Sequence, residues 1–190
     1  MLHHPQGSQH YVVLGIDPGV NRMGFGVIHI ELHSMQAQLI HAGTLSSIKL
    51  MRYYGFNAEQ HSISDLKLKA MGWAFKDILA THQPHCVVCE GAYVGEFVTS
   101  YESLIKTQSM LRHHLRHYDP HLSLTMVDAP RVKNAIGVCG RGRDKELMQR
   151  QLLTYRQQLN TTSEYLMALD NNAVDAVAVA WWMVQSFIGE

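Results

Sequence analysis

Three acidic residues stand where the surrounding sequence is least able to tolerate them. Asp17 closes the apolar run Tyr11-Val12-Val13-Leu14-Gly15-Ile16 and is followed at once by Pro18-Gly19. Glu90 closes a second such run, Cys86-Val87-Val88-Cys89, and Asp175 interrupts the almost wholly apolar stretch from Ala173 to Met183. An ionised carboxylate taken out of water is costly unless it is ion-paired, hydrogen-bonded or bound to a metal. A lone Asp-Pro-Gly is ordinary turn chemistry, with the aspartate capping the turn. Repetition of the same setting at Glu90 and Asp175 argues instead for carboxylates kept for a shared purpose. Asn172, three residues before Asp175, would share its face of a helix.

The elements that must position these groups follow from the hydrophobic pattern. Short runs rich in Val, Ile and Leu and ended by turn residues read as strands buried on both faces, so Tyr11 to Asp17 and Cys86 to Glu90 are strands one and four. Met23 to Ile30 and Ala37 to Leu45 read as strands two and three of an antiparallel meander with short links. Ser46 to His61 has no clear period and reads as a loop. Ser64 or Asp65 then caps a helix running to about Thr81. A further helix carries Tyr101, Leu104, Ile105, Met110, Leu111 and Leu115 as its apolar stripe, and Leu122 to Asp128 forms strand five. Pro130 is well placed to start a short helix, which leaves Asp128 a turn or capping role. The final helix is capped by Asp170 and is hydrophobic nearly all round, hence buried. Strands alternating with helices imply parallel pairing of strands one, four and five, and functional sites of such sheets lie at the strands' carboxyl ends.

Composition narrows the classes of function. A chain of 190 residues with 46% hydrophobic and 17% charged residues is long enough for one globular domain, taken here as 1–190 with residues 1–9 as a flexible tail. No run reaches the length of a membrane span and the first residues lack the apolar core of a signal peptide, so no membrane partner and a cytoplasmic setting are expected. The three cysteines, Cys86, Cys89 and Cys139, do not suggest a disulfide framework. Cys86 and Cys89 have the C-x-x-C spacing, but residues three apart on a strand face opposite sides and there is no second pair, which argues against zinc. The thirteen histidines show no ligand spacing and read as surface or structural. The net charge of zero argues against a nucleic-acid partner, but its distribution is uneven. Between Arg131 and Arg156 seven bases, Arg131, Lys133, Arg141, Arg143, Lys145, Arg150 and Arg156, face only Asp144 and Glu146. Such a segment is either a solvated face or an electrostatic footprint for an anionic partner.

Taken together, these motifs resemble the RuvC-type Holliday-junction resolvases of the ribonuclease-H-like, retroviral-integrase superfamily. The resemblance spans nearly the whole chain. It rests on Gly15-Ile16-Asp17-Pro18-Gly19 with Gly24-Phe25-Gly26-Val27-Ile28, on Glu90 with Tyr93, on Pro130-Arg131-Val132-Lys133, on Gly140-Arg141-Gly142-Arg143-Asp144-Lys145, and on Asn172-Ala173-Val174-Asp175-Ala176. The fold it implies is α/β, a five-stranded mixed sheet of order 3-2-1-4-5 flanked by helices. The function it implies is crossover junction endonuclease, cutting four-way DNA junctions by paired nicks. Asp17, Glu90 and Asp175, with Asn172 at the fourth position, would then hold two magnesium ions, manganese substituting. Lys133 and Lys145 match bases near the scissile phosphate, and Arg131, Arg141 and Arg143 extend the DNA-binding surface around them. Tyr93 matches an aromatic near the junction crossover, with core packing as its alternative. Relatives act as homodimers, with the helix from Tyr101 to Leu115 as the interface expected here, and a branch-migration complex is a further partner to consider.

Two departures matter. Asn172 replaces an ionisable residue, commonly aspartate, which keeps one acceptor oxygen but loses the charge and is expected to weaken metal binding. The Lys133 to Lys145 link is one residue longer than in bacterial relatives, so the match of Lys145 is looser than that of Asp17. A non-cleaving junction-binding protein, or a viral nuclease acting on other branched DNA or RNA–DNA hybrids, are the alternative functions.

Overall fold

The computed structural model describes residues 9–57, 62–91, 98–138 and 145–188. Five strands, β1 (His10–Asp17), β2 (Arg22–Glu31), β3 (Gln36–Ser46), β4 (Cys86–Glu90) and β5 (Leu124–Val127), form one sheet of order β3-β2-β1-β4-β5. β1 pairs antiparallel with β2 and parallel with β4, β2 pairs antiparallel with β3, and β4 pairs parallel with β5. This is the mixed sheet the sequence predicts. The strand after each helix returns parallel to its predecessor, as a crossover connection requires.

Every residue of β1 between its two ends is buried, because helices cover both faces of the sheet. Alternation along the strand divides its side chains between two cores. Tyr11 and Val13 join Val88 and the last helix, α7 (Asn171–Ile188), on one face. Val12, Leu14 and Ile16 join Phe75, Leu79, Leu111 and Leu115 on the other, beneath α2 (Ile63–His82) and α3 (Val98–Tyr118). Cys86 and Cys89 fall in different cores, as their strand spacing requires.

α7 lies unusually close to the sheet, and glycines make this possible. A Cβ on Gly15 would sit 2.3 Å from the Ala176 carbonyl oxygen, and one on Gly24 would sit 1.9 Å from that of Asn172. Both contacts are with backbone, which cannot move aside as a flexible side chain can. The Gly15-Ile16-Asp17 and Gly24-Phe25-Gly26 signatures are therefore packing devices that seat the start of α7 on β1 and β2.

Several boundaries differ from the sequence reading. The predicted loop after Ser46 contains α1 (Ser47–Tyr53), a seven-residue helix held by tertiary contacts: Ser47 is buried, its hydroxyl donates to the Asn21 carbonyl at 3.3 Å, and Leu50 packs on the second core. α2 begins at Ile63 with Ser62 as its N-cap residue, earlier than Ser64 or Asp65. Its Trp73, read as part of the apolar stripe, is 40% exposed and packs edge-on against Tyr54 and Phe56. β5 is shorter than predicted. α4 (Ala129–Ala135) starts with Pro130 in its first turn and has Asp128 at its N-cap, although the Asp128 side chain pairs with Arg131 at 3.3 Å rather than with the helix N–H groups. α5 (Lys145–Thr154) and α6 (Ser163–Ala168) had no counterpart in the sequence reading, and their apolar residues Leu152 and Leu166 fill the core beside α7. Among the described residues, no helix is long and apolar enough to cross a membrane.

Candidate active site

The register of the sheet brings the first two carboxylates side by side. Ile16 is paired with Cys89 across the parallel β1–β4 ladder, so Asp17 and Glu90 are the next residues along at the shared carboxyl end. Parity places both on the face covered by α7, since Asp17 follows Gly15 by two and Glu90 follows Val88 by two. α7 crosses that end with its Asn172 carbonyl over Gly24 and its Ala176 carbonyl over Gly15. Asp175 precedes Ala176 and so enters the same region. Three acids thus converge from two strands and one helix.

Electrostatics report the convergence directly. Burial pushes the Glu90 carboxyl above the ordinary glutamate range, the charge of Asp175 pushes it further, and the ammonium of Lys133 on α4 partly offsets both. The Cys89 thiol is held far up by burial and then by the charges of Asp17 and Glu90. Lys133, predicted to sit near the reacting phosphate, is therefore brought to the acidic cluster. Among the described residues, no three His, Cys, Asp or Glu side chains are gathered closely enough to form a closed metal cage. The donor set is nonetheless all oxygen, three carboxylates and an amide, which suits hard divalent cations such as magnesium or manganese and not zinc or copper. A half-buried carboxylate whose charged form is disfavoured by its surroundings also fits a site meant for a cation.

Asp170 behaves in the opposite way. Its Oδ1 accepts from the Thr44 hydroxyl and, at 3.1 Å, from the Ala173 N–H, while Oδ2 pairs with the Arg22 guanidinium. Burial alone would raise its carboxyl, but the Thr44 and Ala173 hydrogen bonds and the charge of Arg22 hold it below the usual aspartate range. Asp170 is the N-cap predicted from the sequence, and both its oxygens are committed to partners within the protein.

The other predicted contacts fall unevenly. Arg131 is exposed and paired with Asp128. Lys145 opens α5, but its side chain, like Tyr93, Arg141 and Arg143, lies outside the described residues. One residue was missed: Gln108 of α3, 3% exposed, donates from Nε2 to the Glu90 carbonyl oxygen at 3.1 Å and so fixes the strand end that presents Glu90. Its signal was available, because Gln108 lies one turn from Leu104 and Leu111 and interrupts their stripe with a polar group.

A 3-2-1-4-5 mixed sheet with helices on both faces is the ribonuclease-H-like fold, and here acids stand at the ends of its first and fourth strands and on its last helix. The family model described as crossover junction endodeoxyribonuclease RuvC matches residues 13–182, and the chain belongs to that family, whose nucleases are metal-dependent. By fold it is similar to RuvC of Thermus thermophilus, solved in complex with a Holliday junction substrate, at 17% identity, with 94% of this chain and 96% of that one covered and a TM-score of 0.69. It is also similar to the yeast mitochondrial Holliday junction resolvase Ydc2 (13% identity, 93% and 80% covered, TM-score 0.61) and to the fowlpox virus Holliday junction resolvase (10%, 94% and 98%, 0.53). A comparison with curated proteins returns no match.

Proposed function

We propose that this chain resolves four-way DNA junctions by paired symmetric nicks, with Asp17, Glu90 and Asp175 as ligands of two magnesium ions, manganese substituting, and Asn172 at a weakened fourth position. The observation that supports this reading most is the meeting of three carboxylates from β1, β4 and α7 at one sheet edge, with the half-buried Glu90 in the field of Asp175. Bound there, the ions would supply an activated water and stabilise the leaving oxygen of a phosphodiester. The protein's own share is positioning. The β1–β4 ladder and the Gln108 hydrogen bond hold Asp17 and Glu90 in register. Lys133 is a cation that the chain itself brings to the cluster, and it would draw in the scissile phosphate without reading sequence. Arg131, Arg141, Arg143 and Lys145 extend that surface, and Tyr93 would stack on an unpaired base at the crossover.

Two copies are needed for two opposing cuts, and α3 is the proposed dimer interface: Leu111 and Leu115 are committed to the second core, so the contact would use the outer side of the helix, where Ile105 is 39% exposed. The free, buried thiols of Cys86 and Cys89 fit a reducing cytoplasm. A second reading, a junction-binding protein that cuts poorly or not at all, is favoured by Asn172 together with the commitment of Asp170 to Arg22 and Thr44. Incubation with labelled four-way junction, linear duplex and RNA–DNA hybrid, in magnesium, manganese or chelator, separates the readings. Paired nicks confined to the junction and abolished by chelator support resolution. Tight junction binding without cutting, reversed by Asn172→Asp, identifies a disabled resolvase, and preferential cutting of the hybrid would overturn both.

A further inference from the structure

Away from the carboxylates, on the opposite face of the sheet, two histidines from different elements meet. His41 stands on β3 opposite Val27, whose face carries the second core, and His82 is the last residue of α2. Their ring nitrogens, Nδ1 of His41 and Nε2 of His82, are 3.2 Å apart. We infer that this pair binds a transition-metal ion of the zinc class, at a site separate from the nuclease centre.

The geometry suits such an ion. Imidazole nitrogens bind zinc at about 2.0–2.1 Å, so two of them on one tetrahedral ion lie roughly 3.3 Å apart. Without metal, the same approach is one N–H···N bond between two neutral rings, and an ion would take the place of the shared proton. Both rings are anchored: Phe25 packs edge-on against His41 at 4.9 Å, and α2 stops at His82 because Gln83 adopts a left-handed conformation and donates its N–H to the Leu79 carbonyl. Burial, and then the neighbouring His41, hold the His82 imidazole below the ordinary histidine range, which suits its neutral, ligating form. Among the described residues no third His, Cys, Asp or Glu completes a cage, so water fills the remaining positions and the affinity is moderate. Two nitrogen donors without a carboxylate select zinc, nickel or copper over magnesium, the reverse of the preference at Asp17 and Glu90. The ion would clamp the edge strand β3 to the end of α2.

The test is a zinc titration of the full chain in excess magnesium, which occupies the carboxylate site. The protein carries His113→Ala throughout, so that the exposed His113–His117 pair on α3 does not contribute. Calorimetry, imidazole NMR and thermal melting provide the readouts. One zinc event is expected that shifts the His41 and His82 ring signals together and raises Tm by a few degrees, as binding to the folded state alone requires. His41→Ala and His82→Ala should each remove that event and the Tm rise, whereas Asp17→Asn should retain both, which separates this outcome from any failure at the nuclease centre. Unchanged zinc stoichiometry and affinity in either histidine variant would overturn the proposal.

Discussion

Two carboxylates only a few residues from the start of α7 or its neighbouring strand ends are treated by the fold in opposite ways. Glu90 is half-buried, lies within the field of Asp175 and is pushed up, whereas Asp170 is hydrogen-bonded, paired with Arg22 and pulled down. On the proposed function, the difference separates a structural acid from a functional one. A carboxylate retained for the helix end has its oxygens committed to partners of the protein's own making. A carboxylate retained for a cation is held where the protein alone leaves its charge unfavourable, and stability is given up for it.

The contrast can be broken most severely by neutralising each side. Asp17→Asn and Glu90→Gln should lower junction cleavage by at least about 100-fold, since even groups that only orient metal ligands are commonly worth 10–100-fold. Melting without divalent ions should show Glu90→Gln at least as stable as the parent, because it removes a disfavoured charge. A drop in metal-free stability would count against the comparison. Gly15→Ala should come next, destabilising by about 1–3 kcal/mol in denaturant unfolding and displacing Asp175, since its Cβ meets the backbone of α7. Asp170→Ala should cost about 1 kcal/mol, the usual value of an N-cap, while leaving divalent-ion affinity unaltered.

The smallest expected effect is in the pH profile of metal-free stability, where the two acids pull in opposite directions. The folded Glu90 binds its proton more tightly than the unfolded one, so its contribution declines as pH rises from the ordinary glutamate range, about 4.3, toward its raised value. The folded Asp170 binds its proton less tightly, so its contribution is present above about 3.9 and fades as pH falls below that. Glu90→Gln should flatten the first slope and Asp170→Asn the second, as read from melts across a pH series.

Much of this was legible in the sequence because the decisive signals are local. Apolar runs ending in Asp17 and Glu90, and an apolar helix interrupted by Asp175, define both the strands and the edge at which they meet. The sheet order and the family followed from those motifs taken together. What escaped was set by tertiary contact. α1 owes its existence to packing on α2 and the Asn21 carbonyl, and α5 and α6 have too little periodicity to stand out. The Arg22–Asp170 pair joins residues 148 apart in sequence, and the approach of His41 to His82 joins β3 to α2, distances over which spacing gives no guidance. Gln108 was readable as a polar break in an apolar stripe, but its partner, the Glu90 carbonyl, was not.

The claim at the centre is that Glu90 and its neighbours form a cation site and that Asp170 does not. Manganese binding to the parent chain, Glu90→Gln and Asp170→Asn, counted by paramagnetic resonance and calorimetry, tests it directly. Binding should weaken at least tenfold in Glu90→Gln and stay at the parent level in Asp170→Asn; equal weakening in both, or none in Glu90→Gln, would contradict it.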